Sequence, residues 1–327
     1  TRRSSDLIRL KHPLPSMPLT RIILAFCALI LLAFSACTQT ESKGALQAGE
    51  RMKVVTTTSI LKDAVQNIVG DVADVESVMG SGVDPHLYKA TQGDLKKLTE
   101  ADVVIYNGLH LEGKMGEVLE KLSRQKTVVA GAESIPDAKL KRSPQYKDSH
   151  DPHVWFDVTL WQEVVKNLSQ KLQEKDPANA EVYKQNTTAY LQQLDQLHQW
   201  VTQEIASIPD QQRILITAHD AFGYFGDAYN IQVRGLQGIS TVSEFGLQDV
   251  ASLVNFIADN KIKAVFVESS VSPKAIEAVV VGSKQKGHAV EIGGTLFSDA
   301  LGEDGTPEGT YIGMVRHNVN TIVSSLK

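Results

Sequence analysis

The stretch "DPANAEVYKQNTTAYLQQLDQLHQWVTQEIASIPD" (176–210) does most to limit what this chain can become. Between Pro177 and Pro209 it holds neither proline nor glycine, so nothing in it interrupts a helix. Asp176 suits the N-cap, Pro177 the first turn and Pro209 the stop, which predicts one helix of about 30 residues. At a rise of about 1.5 Å per residue it spans roughly 45 Å, the length of a whole two-lobed molecule. Tyr183, Tyr190, Leu194, Leu197, Val201 and Ile205 recur at three, four and seven residue steps and mark one packing face. His198 shares the helix and needs no ligand role there.

Elsewhere strands alternate with helices. Before the long helix, "KVVTTTS" reads as a strand, "ILKDAVQNIVGD" as a helix, "VADVESVM" as a strand, "TQGDLKKLTEA" as a helix opened by Thr91, and "DVVIYNG" as a buried strand. After it, "RILITAH", "VRGLQ", "IKAVFVE" and "GHAVEIG" read as strands, with helices between them in "DAFGYFGDAYN", "LQDVASLVNFIADN" and "SPKAIEAVVVGSKQK". "TPEGTYIGMVRHNVNTIVSSLK" closes the chain as a helix. Such alternation implies βαβ units and mainly parallel sheets covered on both faces. The expected fold is α/β, with two lobes, each a mainly parallel sheet flanked by helices, joined by one long rigid helix. The first lobe covers residues 53–175, the linking helix 176–208 and the second lobe 209–327.

The N-terminal end carries a different signal. "IILAFCALILLAFSA" (22–36), with Arg21 ahead of it, is too short for a bilayer span of about 20 residues and reads as a secretory h-region. Cys37 follows at once, behind Ser35 and Ala36, in the manner of a lipobox whose cysteine becomes the acylated N-terminus, although Phe34 stands where leucine is usual. A plain cleaved signal is the alternative. Residues 1–16 are read as an upstream extension, 17–36 as the signal peptide, and 37–52 as a polar tether. The only other cysteine, Cys27, lies inside the h-region, so the folded part holds no thiol for a metal site, disulfide or nucleophile. A net charge of −5 without basic runs excludes nucleic acid as a partner.

The tripeptide Asp-Pro-His occurs twice, at 84–86 and 151–153, in a chain with nine histidines. Proline fixes its own φ and pushes the residue before it toward an extended conformation, so each imidazole follows stiffened backbone. In open parallel sheets ligands bind beyond the carboxyl ends of the strands. His86 follows one strand, His153 precedes the helix that begins near Thr159, His219 directly follows "RILIT", and Asp299 follows "EIGGTLF". Two come from each half, which places any shared site between the lobes. Three imidazoles and a carboxylate suit a divalent transition ion. Taken singly, each histidine fits an ordinary surface or hydrogen-bonding role better than a ligand role; the repeated Asp-Pro-His and the strand-end placement are what favour ligands. His110, His150, His288 and His317 are read in that plain way.

With "GVDPHLYKATQGDLKKLTEADVVIYNGLHLEGKM", "DPHVWFDVTLW", "ITAHDAFGYFGDAY", "GLQGISTVSE", "AVFVESSVS" and "IGGTLFSDALGEDGTPEGTYIGMVRHNV", the chain resembles the solute-binding lipoproteins of bacterial manganese/zinc/iron ABC importers, the TroA-like family, and most closely its manganese-binding members. The resemblance runs from Lys53 to Lys327. It implies metal ligands at His86, His153, His219 and Asp299, and lipidation at Cys37. Zinc-specific relatives usually carry a long histidine-rich loop between the first two ligands, and "AKLKRSPQYKDSHDPH" is none. Asp84, Asp151 and Glu268 are candidates to hydrogen-bond or balance charge around the ligands, with turn formation or a strand-end salt bridge as alternatives.

The expected function is capture of Mn(II) outside the cytoplasmic membrane, with Zn(II) or Fe(II) as alternatives, and its delivery to an ABC permease driven by a cytoplasmic ATPase. The expected protein is a lipid-anchored monomer and not an enzyme. A metallohydrolase needs an open coordination position and a nearby base, and no H-E-x-x-H motif is present. An adhesin with a structural metal is the third reading.

Overall fold

A computed structural model describes residues 50–143 and 149–327. The expected signal peptide, Cys37 and most of the tether lie outside the described residues. The first half runs β1 (Met52–Thr56), α1 (Ser59–Val69), β2 (Ala73–Ser77), α2 (Gln92–Glu100), β3 (Val103–Tyr106), α3 (Gly116–Ser123), β4 (Thr127–Ala130) and α4 (Val158–Lys175). All ladders are parallel, in the order β2-β1-β3-β4. Helix α2 starts where Thr91 predicts: Thr91 Oγ1 accepts the Asp94 N–H, and Asp94 Oδ2 accepts the Thr91 N–H at 2.8 Å. The sequence reading passed over α3 and β4. Helix α3 opens on Met115 without a side-chain cap, and β4 has four residues, so neither carries a strong local signal.

The long helix is α5 (Ala180–Ala206), 27 residues preceded by a 3₁₀ turn at Pro177–Asn179. Asp176 is not its N-cap. It ends α4, and its carboxylate accepts the Tyr183 hydroxyl at 2.6 Å and the Asn179 amide at 2.8 Å, which ties the corner between two helices. The packing face is the one the spacing marks: Tyr183, Tyr190, Leu194, Leu197, Val201 and Ile205 are all buried.

The second half runs β5 (Ile214–His219), α6 (Gly223–Tyr229), β6 (Gln232–Gln237), α7 (Leu247–Asp259), β7 (Ala264–Glu268), α8 (Lys274–Gln285), β8 (Glu291–Leu296) and α9 (Tyr311–Leu326). Here β5 pairs with β6 and β7 with β8, both in parallel, and β5 lies beside β7. Strand β8 begins later than "GHAVEIG" suggests. Gly287 takes φ +85° and the His288 ring sits 2.7 Å from the Ile262 carbonyl, so these residues form a turn before the strand. One continuous apolar core joins Leu61 and Val65 of α1, Trp161 and Leu168 of α4, Leu194 and Leu197 of α5, and Met314 and Val319 of α9.

The loop after β8 is tied to the first half as well as to its own. Trp155 Nε1 donates to the Ser298 carbonyl at 3.0 Å, Ser59 Oγ accepts the Leu301 N–H at 3.0 Å, and Asp63 accepts the Tyr311 N–H at 3.1 Å. The Tyr311 hydroxyl returns to the Trp155 carbonyl at 2.7 Å. Among the described residues no helix is long and apolar enough to cross a membrane.

Candidate metal centre

Each Asp-Pro-His turn aims its histidine through the aspartate. Asp84 Oδ1 accepts the His86 N–H at 2.8 Å. Asp151 Oδ1 accepts the His153 N–H at 3.0 Å and lies 2.7 Å from His153 Nδ1, so it fixes the ring and leaves Nε2 free to face the site. His219 is the last residue of β5, and its N–H donates to Glu268 Oε1, at the end of β7, at 2.9 Å. Its Nδ1 stands 2.5 Å from Glu268 Oε2. Asp299 lies in the loop after β8 that the first half pins.

The four converge. His86, His153, His219 and Asp299 each offer one donor atom, all within 4.8 Å of one another. His86 Nε2 and His153 Nε2 are 3.3 Å apart, and Asp299 reaches within 3.4 Å of both His153 Nε2 and His219 Nε2. Four donors held about 2.1 Å from one tetrahedral ion lie roughly 3.4 Å from each other. The site is dry: His86 is 3% exposed, Asp299 1%, and His153 and His219 not at all. Both Asp299 oxygens and His219 Nε2 lack a hydrogen-bond partner in the protein. Orphaned buried donors and acceptors are costly, and a cation between them removes the cost.

Charge in the centre is strongly coupled. Burial pushes His86 down to about 3, against the pull of Asp299. Burial also works downward on His153, but Asp151 and Asp299 outweigh it and raise the ring to about 9. At His219 burial is likewise overcome, by Glu268 and Asp299, and the ring is raised well above its usual value. Asp299 is held well below the carboxylate range because His219 and His153 outweigh its burial. Asp151 and Glu268, with Asp299 between the rings, thus favour the charged form of His153 and His219.

The remaining histidines among the described residues stay apart from this cluster. His150 Nε2 is 2.9 Å from Asp137, His198 Nδ1 is 3.2 Å from the Tyr229 hydroxyl, and His317 Nε2 is 3.0 Å from the Thr295 carbonyl. His110 takes φ +66° and lines, with His150, Pro152, Ile239 and Val242, a cavity of about 320 Å³ that opens beside His86. Two contacts escaped the sequence reading. The Trp155 ring packs edge-on against His153 at 5.2 Å, and the Thr241 hydroxyl donates to Asp84 Oδ2 at 2.6 Å. The motifs "DPHVWFD" and "GLQGISTVSE" contain both residues, but nothing local to either predicts the contact.

Known proteins resemble this chain. The family described as "ZnuA: Zinc-uptake complex component A periplasmic" matches residues 54–325. The manganese-binding lipoprotein MntA of Bacillus subtilis is 52% identical over 302 residues, covering 92% of this chain and 98% of its own. The zinc-binding protein TroA of Treponema pallidum is 48% identical over 285 residues, covering 87% and 92%. The solved structure of the periplasmic zinc-binding protein TroA from Treponema pallidum superposes with a TM-score of 0.83 at 48% identity, covering 85% of this chain and 99% of that one. On the extent of that family match and on these identities, the chain belongs to the ZnuA family of metal-binding substrate-binding proteins.

Proposed function

We propose that His86, His153, His219 and Asp299 bind one divalent transition ion, Mn(II) in the first instance, as cargo for an ABC importer. The observation that carries this reading is the set of four buried donors, three nitrogens and a carboxylate, spaced for one ion, of which His219 Nε2 and both Asp299 oxygens have no hydrogen-bond partner in the protein. Four protein ligands, with a carboxylate able to bind through both oxygens, leave little room for a hydrolytic water, which favours capture over catalysis. Asp151 and Glu268 orient two of the rings, and Asp84 positions the backbone of the third ligand.

The chain acts as two lobes, 53–175 and 209–327, joined by the segment 176–208 that contains α5, with Cys37 as the lipid anchor outside the cytoplasmic membrane. It works as a monomer and passes its ion to a permease driven by a cytoplasmic ATPase. Mn(II) is favoured by the likeness to the MntA lipoprotein, and Zn(II) is the second reading, on the likeness to TroA. By the Irving–Williams order such a site holds Zn(II) more tightly than Mn(II) in vitro, so affinity alone does not identify the cargo. The test is metal analysis of natively purified protein, with uptake of Mn(II) and Zn(II) measured in cells lacking the gene. One equivalent of metal, lost in Asp299→Ala, and a manganese uptake defect are expected; metal-free protein with undiminished uptake refutes the proposal.

A further inference from the structure

We propose that Thr241 is a latch that sets how fast the bound ion leaves, a reading that rests on the metal-binding function proposed above. Thr241 sits in the loop between β6 and α7, 157 residues from Asp84 in sequence, yet its hydroxyl donates to Asp84 Oδ2 at 2.6 Å. The other oxygen of the same carboxylate accepts the His86 N–H at 2.8 Å. A single side chain therefore couples the loop to the backbone of a ligand.

The root of the loop is tied to a second ligand. Gln237 Nε2 donates to the carbonyls of Thr241 at 2.7 Å and Ser243 at 2.5 Å, and Gln237 is the residue of β6 paired with His219 in the parallel ladder. The loop thus braces against the strand beside His219 at one end and against the His86 turn at the other. Ile239, Ser240 and Val242 of this loop line the cavity beside His86, the most exposed of the four donors. An ion leaving through that cavity passes the loop, and the loop moves aside only when the Thr241–Asp84 bond breaks. A hydrogen bond to a carboxylate is shorter and stronger than one between neutral groups, which suits it to hold a lid.

The hydroxyl is what matters, so Thr241→Val and Thr241→Ser form the test. Zn(II)-loaded protein is mixed in a stopped-flow instrument with an excess of colorimetric chelator, and the release rate is read directly. Thr241→Val is expected to release Zn(II) roughly tenfold faster, as for loss of one charge-assisted hydrogen bond, with an unchanged association rate. Thr241→Ser is expected to restore the wild-type rate. The bond is also present without an ion, so Thr241→Val is expected to lower the melting midpoint of the metal-free protein; a merely structural role would give that drop without the faster release. A Thr241→Val release rate equal to that of wild type overturns the latch, and so does a serine variant that releases as fast as the valine one. Wild-type protein that takes up no Zn(II) and no Mn(II) overturns the metal-binding reading itself, and the latch with it.

Discussion

Asp151→Asn separates charge from geometry at this centre. A single oxygen, Asp151 Oδ1, makes both contacts to His153, at 3.0 Å to N and 2.7 Å to Nδ1. An asparagine carbonyl in that place keeps the ring orientation and the tautomer, and removes only the negative charge. Before an ion binds, the carboxylate faces an imidazolium; afterwards it faces the ion across the ring. At an effective dielectric of about 20, a unit pair about 4 Å apart is worth ~4 kcal/mol, and a divalent ion ~6.5 Å away ~5 kcal/mol. His153 is raised to about 9, so at about pH 7 the ion displaces its proton at a cost of ~3 kcal/mol. The substitution removes the ~5 kcal/mol attraction, but the lost ~4 kcal/mol also lowers the ring by ~3 pH units and with it most of the proton cost. The net loss is ~2 kcal/mol, or roughly 50-fold in affinity near neutral pH, and it grows as rising pH removes the offset. Calorimetric titration with Mn(II) at several pH values, in buffers of different ionisation enthalpy, reads affinity and proton release together. The variant is expected to release about one proton fewer than wild type at pH 7. Equal proton release, or an affinity loss independent of pH, would refute the reasoning.

Removing metal with EDTA is expected to lower the melting midpoint, because an ion present at about 1,000 times its Kd stabilises the folded state by ~4 kcal/mol. Calorimetric scans should show that His86→Ala abolishes the difference. Asp63, partly buried against Tyr311 N–H and raised to about 6 mainly by desolvation, binds its proton more tightly folded than unfolded. Its contribution is therefore greatest below the unfolded value of 3.8 and is lost as pH rises toward 6. Urea unfolding of Asp63→Asn should show the variant gaining on wild type between acid and neutral pH, by at most ~3 kcal/mol. Leu194→Ala, at a fully buried position on the long helix, should cost ~2–5 kcal/mol in the same assay, and a loss below 1 kcal/mol would place that face outside the core.

The four donors and the long helix were legible because each announces itself locally, through Asp-Pro-His, a strand end, or unbroken periodicity. Asp151 and Glu268 were legible only as candidates, since the sequence shows an acid near a ligand without showing which atom it reaches. The Asp84–Thr241 bond was not legible at all: it joins segments that meet only after β6 and the first sheet are in place. The support of Asp299 was hidden in the same way: chain order assigns the residue to the second half, while Trp155 and Ser59 of the first half bind the loop around it. Asp176 misled for a related reason. Its sequence context suits an N-cap, but the Tyr183 hydroxyl one turn into the next helix competes for the carboxylate and wins.

The long helix also determines where this protein can change length. Each residue added inside Ala180–Ala206 advances the chain by about 1.5 Å and turns it by about 100°, so one insertion carries Leu194, Leu197 and Val201 off the core together. The interval from His153 to His219 is thereby fixed in register. The turns at Gly287 and Gly305, surface backbone with positive φ and open space around the glycine, have no such phase to keep. Insertions and deletions among natural variants should collect at such turns and leave the helix untouched.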